Sequence, residues 1–304
     1  MAALFNLCRA VACYRTVSPM VITKLKRVLF ITVALVGGSC QALQLNSQQA
    51  IVISNETGSV LFEKNANSQV PIASLTKLMT AMTVLDSQPD MNEKIEITDQ
   101  DVDAIKHSRS HVPVGALLER RQVLQLALMS SDNRAAAALA RTYPGGNAGF
   151  ARAVREKIKG LDMSHTVIGE PTGLSPENTS TAADLAKMAR AASHYPEIVR
   201  ITTGSSAPIK LNRRSVIFHN TNHLVGAKGW DILLSKTGFT NEAGHCLIMR
   251  VKQAGKDATL VLLNSKGGAS SRLDALNIRR FLSDPREEKS RVATMHKGAH
   301  RTAS

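Results

Sequence analysis

SLTKLMTAMTVL, residues 74–85, places Leu75, Leu78, Met79, Met82 and Leu85 at helical intervals, so a helix beginning near Ser74 turns one apolar stripe toward a core. The same stretch sets Ser74 and Lys77 three positions apart, on one face of the first turn. A hydroxyl there lies in the positive field of a helix N-terminus, which favours a developing alkoxide. A lysine with the usual pKa of about 10.4 stays protonated and is no base. Burial, or a second cation such as Lys236, lowers it into a working range. A Ser three residues before a Lys is common by chance, so the weight rests on two further motifs.

Ser131-Asp132-Asn133 falls in a turn between two helical stretches, and Lys236-Thr237-Gly238 ends an apolar strand. Ser131 is read as a proton relay between Lys77 and a departing amine. Asn133 is read as holding both a substrate amide and Lys77, and Asp132 as capping the helix that follows. Lys236 offers charge, and Thr237 a hydroxyl, to a substrate carboxylate. Gly238, having no side chain, lets an extended peptide approach the strand and add to it. The backbone N–H groups of Ser74 and Phe239 are the natural oxyanion donors. Together these groups suffice to attack an amide carbonyl through a serine ester. The chemistry needs no cofactor, and the nine histidines show no metal-binding spacing. His219, His223 and His245 are candidates to line the cleft, with a structural role favoured for each.

Outward from the motifs, residues 50–53 and 59–62 are apolar runs around Asn55-Glu56-Thr57-Gly58, the pattern of a hairpin. Helices are expected over 123–129, 134–141, 150–158 and 181–192, the last capped by Thr181 with Asp184 three residues on. Residues 90–120 read as polar and irregular. Strands are expected over 232–237, 246–251 and 258–264, followed by a closing helix over 270–282 that packs through Leu273, Leu276 and Phe281. Strands at both ends with helices between them imply an α/β fold: one sheet assembled from distant segments, with a helical lobe inserted.

The chain has 304 residues, 43% of them hydrophobic, and a formal net charge of +14. Lys24-Leu25-Lys26-Arg27, an uncharged apolar run over 28–38 and the small residues before Leu43 have the form of an export signal. The expected organisation is a signal segment over 1–42 (1–19 being surplus), a catalytic domain over 43–282 and a basic tail over 283–304. Without the five basic residues before position 43 the charge is +9, suited to an anionic partner such as a wall polymer. No basic and aromatic residues interleave as on single-strand binders, so nucleic acid is not expected. Cys246 is then the lone cysteine, flanked by apolar residues and read as a buried thiol.

The motif trio is that of class A β-lactamases and penicillin-binding proteins. Residues 71–82, 126–136, 170–175, 220–225 and 236–247 extend the likeness. Over about Gln49 to Leu282 the chain resembles the low-molecular-weight penicillin-binding proteins, the serine D-alanyl-D-alanine peptidases, and most of all their periplasmic endopeptidase branch. The resemblance implies a β-lactamase/transpeptidase-like fold with a five-stranded antiparallel sheet. It implies hydrolysis of the D-alanyl cross-links between peptidoglycan stem peptides, and covalent inhibition by β-lactam antibiotics. It makes Ser74 the acylated residue, Lys77 the proton acceptor, Ser131 and Asn133 the second motif, and Lys236, Thr237, Gly238 and Phe239 the substrate-binding strand. Related D,D-carboxypeptidases generally add a second β-domain and an anchoring helix. Here about twenty residues follow Leu282, with no membrane-seeking face, so at most loose membrane association is expected. Glu170 stands where a class A β-lactamase keeps its deacylating glutamate, but Leu174 replaces the Asn four residues on, which favours the peptidases.

Overall fold

The computed structural model describes residues 43–211 and 214–284. The expected signal segment and nearly all of the expected tail lie outside the described residues. In chain order the elements are β1 (Gln49–Ser54), β2 (Val60–Lys64), β3 (Val70–Pro71), α1 (Thr76–Asp86), β4 (Lys94–Glu96), β5 (Leu117–Glu119), α2 (Arg120–Met129), α3 (Asn133–Arg141) and α4 (Gly146–Gly160). They continue with β6 (Thr179–Ser180), α5 (Ala182–Ala192), α6 (Pro196–Thr203), β7 (Ser206–Leu211), β8 (Arg214–His219), β9 (Asp231–Thr240), β10 (Gly244–Gln253), β11 (Lys256–Ser265) and α7 (Gly268–Ser283).

Five strands form the main sheet, antiparallel throughout, in the order β2-β1-β11-β10-β9. The period-two alternation of these strands fills a core on each side. Ile51, Ile248, Val261 and Leu263 face a core shared with α1 to α6, while Val52, Met249, Leu260 and Leu262 face a smaller core closed by α7. β9 ends the sheet, and α6 and the turn bearing Ser74 pack beside it. Lys236 pairs with Ile248 and Gly238 with Cys246, so both point to the α1–α6 side.

Several expectations need correction. Residues 90–120 are not irregular throughout: β4 and β5 pair, a 3-10 turn covers Asp99–Asp101, and Ile95, Ile97, Val112 and Leu118 are buried. The hairpin β7–β8 and helix α6 were not anticipated. Leu273 is 47% exposed, and α7 instead turns Asp274, Ala275, Ile278 and Leu282 inward. The reason is Asp274. Its carboxylate is fully buried and accepts from Asn46 N, Asn46 Nδ2, Ser47 N and Ser47 Oγ at 2.7–2.9 Å. With Ser271, Asp274, Ala275, Ile278 and Leu282 forming the inward stripe, steps of about 100° per residue place Leu273 on the opposite side.

Candidate active site

Ser74 sits in a 3-10 turn, Ala73–Leu75, just ahead of α1. Ala73 holds φ at +48°, a region costly for a residue with a Cβ, and the turn is fixed from several sides. Thr76 Oγ1 donates to Ala73 O at 2.8 Å, and Ile72 N donates to Asn178 O at 3.0 Å. Gly173, at φ +82°, lies so close that a Cβ there would stand 1.9 Å from Ala73 O. Gly238 is equally confined: its Cβ would meet Ser74 N at 2.9 Å and Ala73 Cβ at 3.1 Å. The missing side chain at Gly238 therefore makes room for the nucleophile's own turn, and not only for an approaching peptide.

Lys77 is 1% exposed and donates to Ser74 Oγ (2.9 Å), Asn133 Oδ1 (2.7 Å) and Thr172 O (2.7 Å). Two of its positions are held by fixed acceptors, so the third, aimed at Ser74, becomes the lone pair once the amine is neutral. Burial lowers its pKa to about 7, against the opposing pull of Glu170, Asp132 and Asp103. Lys236 is 2% exposed and donates to Ser131 Oγ (2.9 Å) and Thr237 O (2.8 Å). Burial, then repulsion from Lys77, brings Lys236 well below the usual lysine value. The second cation thus acts otherwise than expected: burial leads at Lys77, and the mutual repulsion is expressed at Lys236. The two amines titrate as a pair.

Ser131 adopts φ +59° in the turn joining α2 to α3, and Asp132 Oδ1 caps α3 by accepting from Ala135 N. Asn133 opens α3; its Nδ2 donates to Ser108 Oγ at 2.9 Å while its oxygen holds Lys77. A groove of about 450 Å³ brings together Ser74, Ser131, Asn133, Thr237, Gly238 and Phe239. All the anticipated site residues thus converge, with both lysines buried beneath them. Thr221, His223, His245 and Arg272 also line the groove. His223 and His245 thus line the cleft, the alternative to the structural role favoured for them. His245 stacks on Phe239 at 4.4 Å, and its pKa is lowered by burial and by Arg272. Thr221 Oγ1 lies 2.5 Å from Thr237 Oγ1. The Thr172 carbonyl, Thr221 and Arg272 were given no role in the sequence: the first is backbone, Thr221 lies in the 220–225 block without a role assigned, and Arg272 stands outside every block. Cys246 is buried, and burial raises its thiol to about 11, so it is inert as a nucleophile.

Glu170 is turned into its own loop. Its oxygens accept from Thr172 N (2.7 Å), Thr172 Oγ1 (2.5 Å), Gly173 N (2.6 Å) and Asn178 Nδ2 (3.0 Å). This carboxylate shapes the 170–174 loop that carries the Thr172 carbonyl to Lys77.

Lys77, read from the sequence as the proton acceptor, carries a prediction: acylation of Ser74 by a fluorescent penicillin is expected to rise with pH through an apparent pKa of about 7. The neutral amine is the reactive form, so the rate falls on the acid side. Rapid-mixing measurements from about pH 5 to about pH 9 check this, and a flat profile contradicts it.

The profile of the D-alanyl-D-alanine carboxypeptidase family matches residues 37–267. The chain is 44% identical over 241 residues to a D-alanyl-D-alanine endopeptidase of Pseudomonas aeruginosa, covering 79% of this chain and 78% of that protein. It is 40% identical over the same length to one from Escherichia coli, with the same coverage. The crystal structure of a Streptomyces DD-transpeptidase superposes with a TM-score of 0.73 at 26% identity, covering 78% of this chain and 97% of that one. A Listeria monocytogenes penicillin-binding protein in its ampicillin-bound form gives 0.67 at 29% identity, with the same coverage.

Proposed function

The chain belongs to the D-alanyl-D-alanine carboxypeptidase family of serine peptidases, and from that premise we propose that it is a periplasmic D,D-endopeptidase cleaving the D-alanyl cross-links of peptidoglycan through an acyl-enzyme on Ser74. The observation that carries this reading is the contact of Lys77 Nζ with Ser74 Oγ, 2.9 Å, beneath the open edge of β9. The likeness to proteins named endopeptidases supports the choice of cross-link over terminal bond. The charged and apolar run before residue 43 supports export, and no helix among the described residues is long and apolar enough to cross a membrane.

In this mechanism the scissile peptide adds along β9, its carbonyl oxygen between the N–H groups of Ser74 and Phe239. Neutral Lys77 takes the Ser74 proton as Oγ attacks. The tetrahedral intermediate collapses when the leaving amine receives a proton from Ser131, which is replenished by Lys236, the amine that contacts its hydroxyl, and not by Lys77 as expected from the sequence. The ester on Ser74 is then attacked by water from the side the amine left. The water proton passes to Ser131 and the now neutral Lys236, and Lys77 returns its proton to Ser74 Oγ. The two amines begin and end with one proton between them, and a substrate carboxylate beside Lys236 draws that proton to Lys236. β-Lactams enter the first half of this cycle as covalent inhibitors. Glu170, already engaged by its own loop, is not free to direct water as in a β-lactamase.

Digestion of purified cross-linked muropeptides tests the proposal. Dimers are expected to disappear into monomers. Release of free D-alanine with the dimers intact would instead establish a carboxypeptidase, and rapid turnover of penicillin a β-lactamase.

A further inference from the structure

One ion pair joins the turn beside Asn133 to the turn that follows β9. Lys106 Nζ lies 2.6 Å from each carboxylate oxygen of Glu242, although 136 residues separate them. Lys106 stands on a turn organised by Asp103, whose carboxylate accepts from Ile105 N, Lys106 N and Ser108 N at 2.7–3.1 Å. That turn abuts the site, since Ser108 Oγ accepts from Asn133 Nδ2 at 2.9 Å. Glu242 occupies the turn that follows β9, and Ala243 N in the same turn donates to Thr240 Oγ1 at 3.1 Å. The pair therefore bridges the gap between the Asn133 wall and the strand bearing Phe239. A peptide added along β9 in this direction reaches Glu242 about three residues, or about 10 Å, beyond the Phe239 amide.

We propose that the Lys106–Glu242 pair is a clasp that long donor strands must open, making these two residues determinants of substrate length. This rests on the reading of the groove as a peptidase site for cross-linked stems. A small β-lactam fills only the space around Ser74 and passes no clasp. A stem peptide continuing three or more residues past the scissile carbonyl displaces the Lys106 side chain. The pair is partly exposed, 27% and 41%, so it opens readily and is weakened by salt.

Glu242→Gln, Lys106→Met and the exchange Lys106→Glu/Glu242→Lys are compared with the unaltered protein. The substrates are cross-linked muropeptide dimers bearing full-length donor stems and a fluorescent penicillin. Each single variant is expected to raise kcat/KM on dimers by about two- to fivefold, the worth of breaking an exposed pair. The exchange is expected to restore the original value, and penicillin acylation to stay constant throughout. Dimer cleavage unchanged or slowed in the single variants, or a parallel rise with penicillin, overturns the clasp. An unaltered protein that reacts with penicillin yet cleaves no dimer overturns the functional reading, and the clasp with it.

Discussion

In the Ser74→Ala variant, a fluorescent penicillin is expected to leave no covalent label, and cleavage of muropeptides to fall by about 10,000-fold or more. The loss is this large because covalent catalysis has no substitute nucleophile nearby. Cys246 is buried with a raised pKa, and the Ser131 hydroxyl is engaged by Lys236. The fold has no reason to suffer. Lys77 keeps Asn133 and Thr172 as acceptors, and the 3-10 turn keeps its bonds through Thr76 and Ile72. Thermal unfolding close to that of the unaltered protein, together with absent label, is the expected pair of results. Label persisting in the variant would assign the acyl group to another residue.

Gly173→Ala is expected to lower penicillin acylation by about 100-fold or more without touching any reacting atom. The added methyl would lie 1.9 Å from Ala73 O, 2.3 Å from Ala73 C and 2.9 Å from Ser74 N, all backbone atoms that no side-chain rotation can clear. The turn bearing Ser74, or the loop offering the Thr172 carbonyl, must move, and either shift separates Ser74 from Lys77. Backbone strain at positive φ contributes as well, and Gly58→Ala isolates it. Gly58 has φ +72° but nothing within 4 Å of its Cβ position, so the same strain arises there without a clash. Gly58→Ala is expected to retain acylation. Equal losses in the two variants would show that strain, and not proximity to Ser74, is responsible.

The chain yields the parts of its fold that are periodic. The apolar spacing of residues 75–85 announces α1, and the continuous apolar runs near the two ends announce the main sheet, because a helix buried on one side leaves a repeat and a strand buried on both faces leaves an unbroken apolar run. The hairpin β7–β8 was hidden by Pro208, Lys210 and Arg214, which break the look of a strand although Ile209, Leu211 and Phe218 are buried. The short β4 and β5 have too few residues to repeat. The outward turn of Leu273 depends on Asp274 meeting Asn46 and Ser47, a contact spanning more than 200 residues. At the site, residue types that carry chemistry in motifs were legible. The carbonyl of Thr172 was not, because every residue has one and only the fold aims it. Nor was the pairing of Lys106 with Glu242, since two oppositely charged residues far apart in sequence give no sign of meeting.

The open side of β9 has a consequence beyond catalysis. Bare strand edges are where copies of a protein adhere, sheet to sheet, and ultimately aggregate. Here α6 and the 3-10 turn pack against that terminal strand, cover of the kind that keeps a sheet edge from pairing with another sheet.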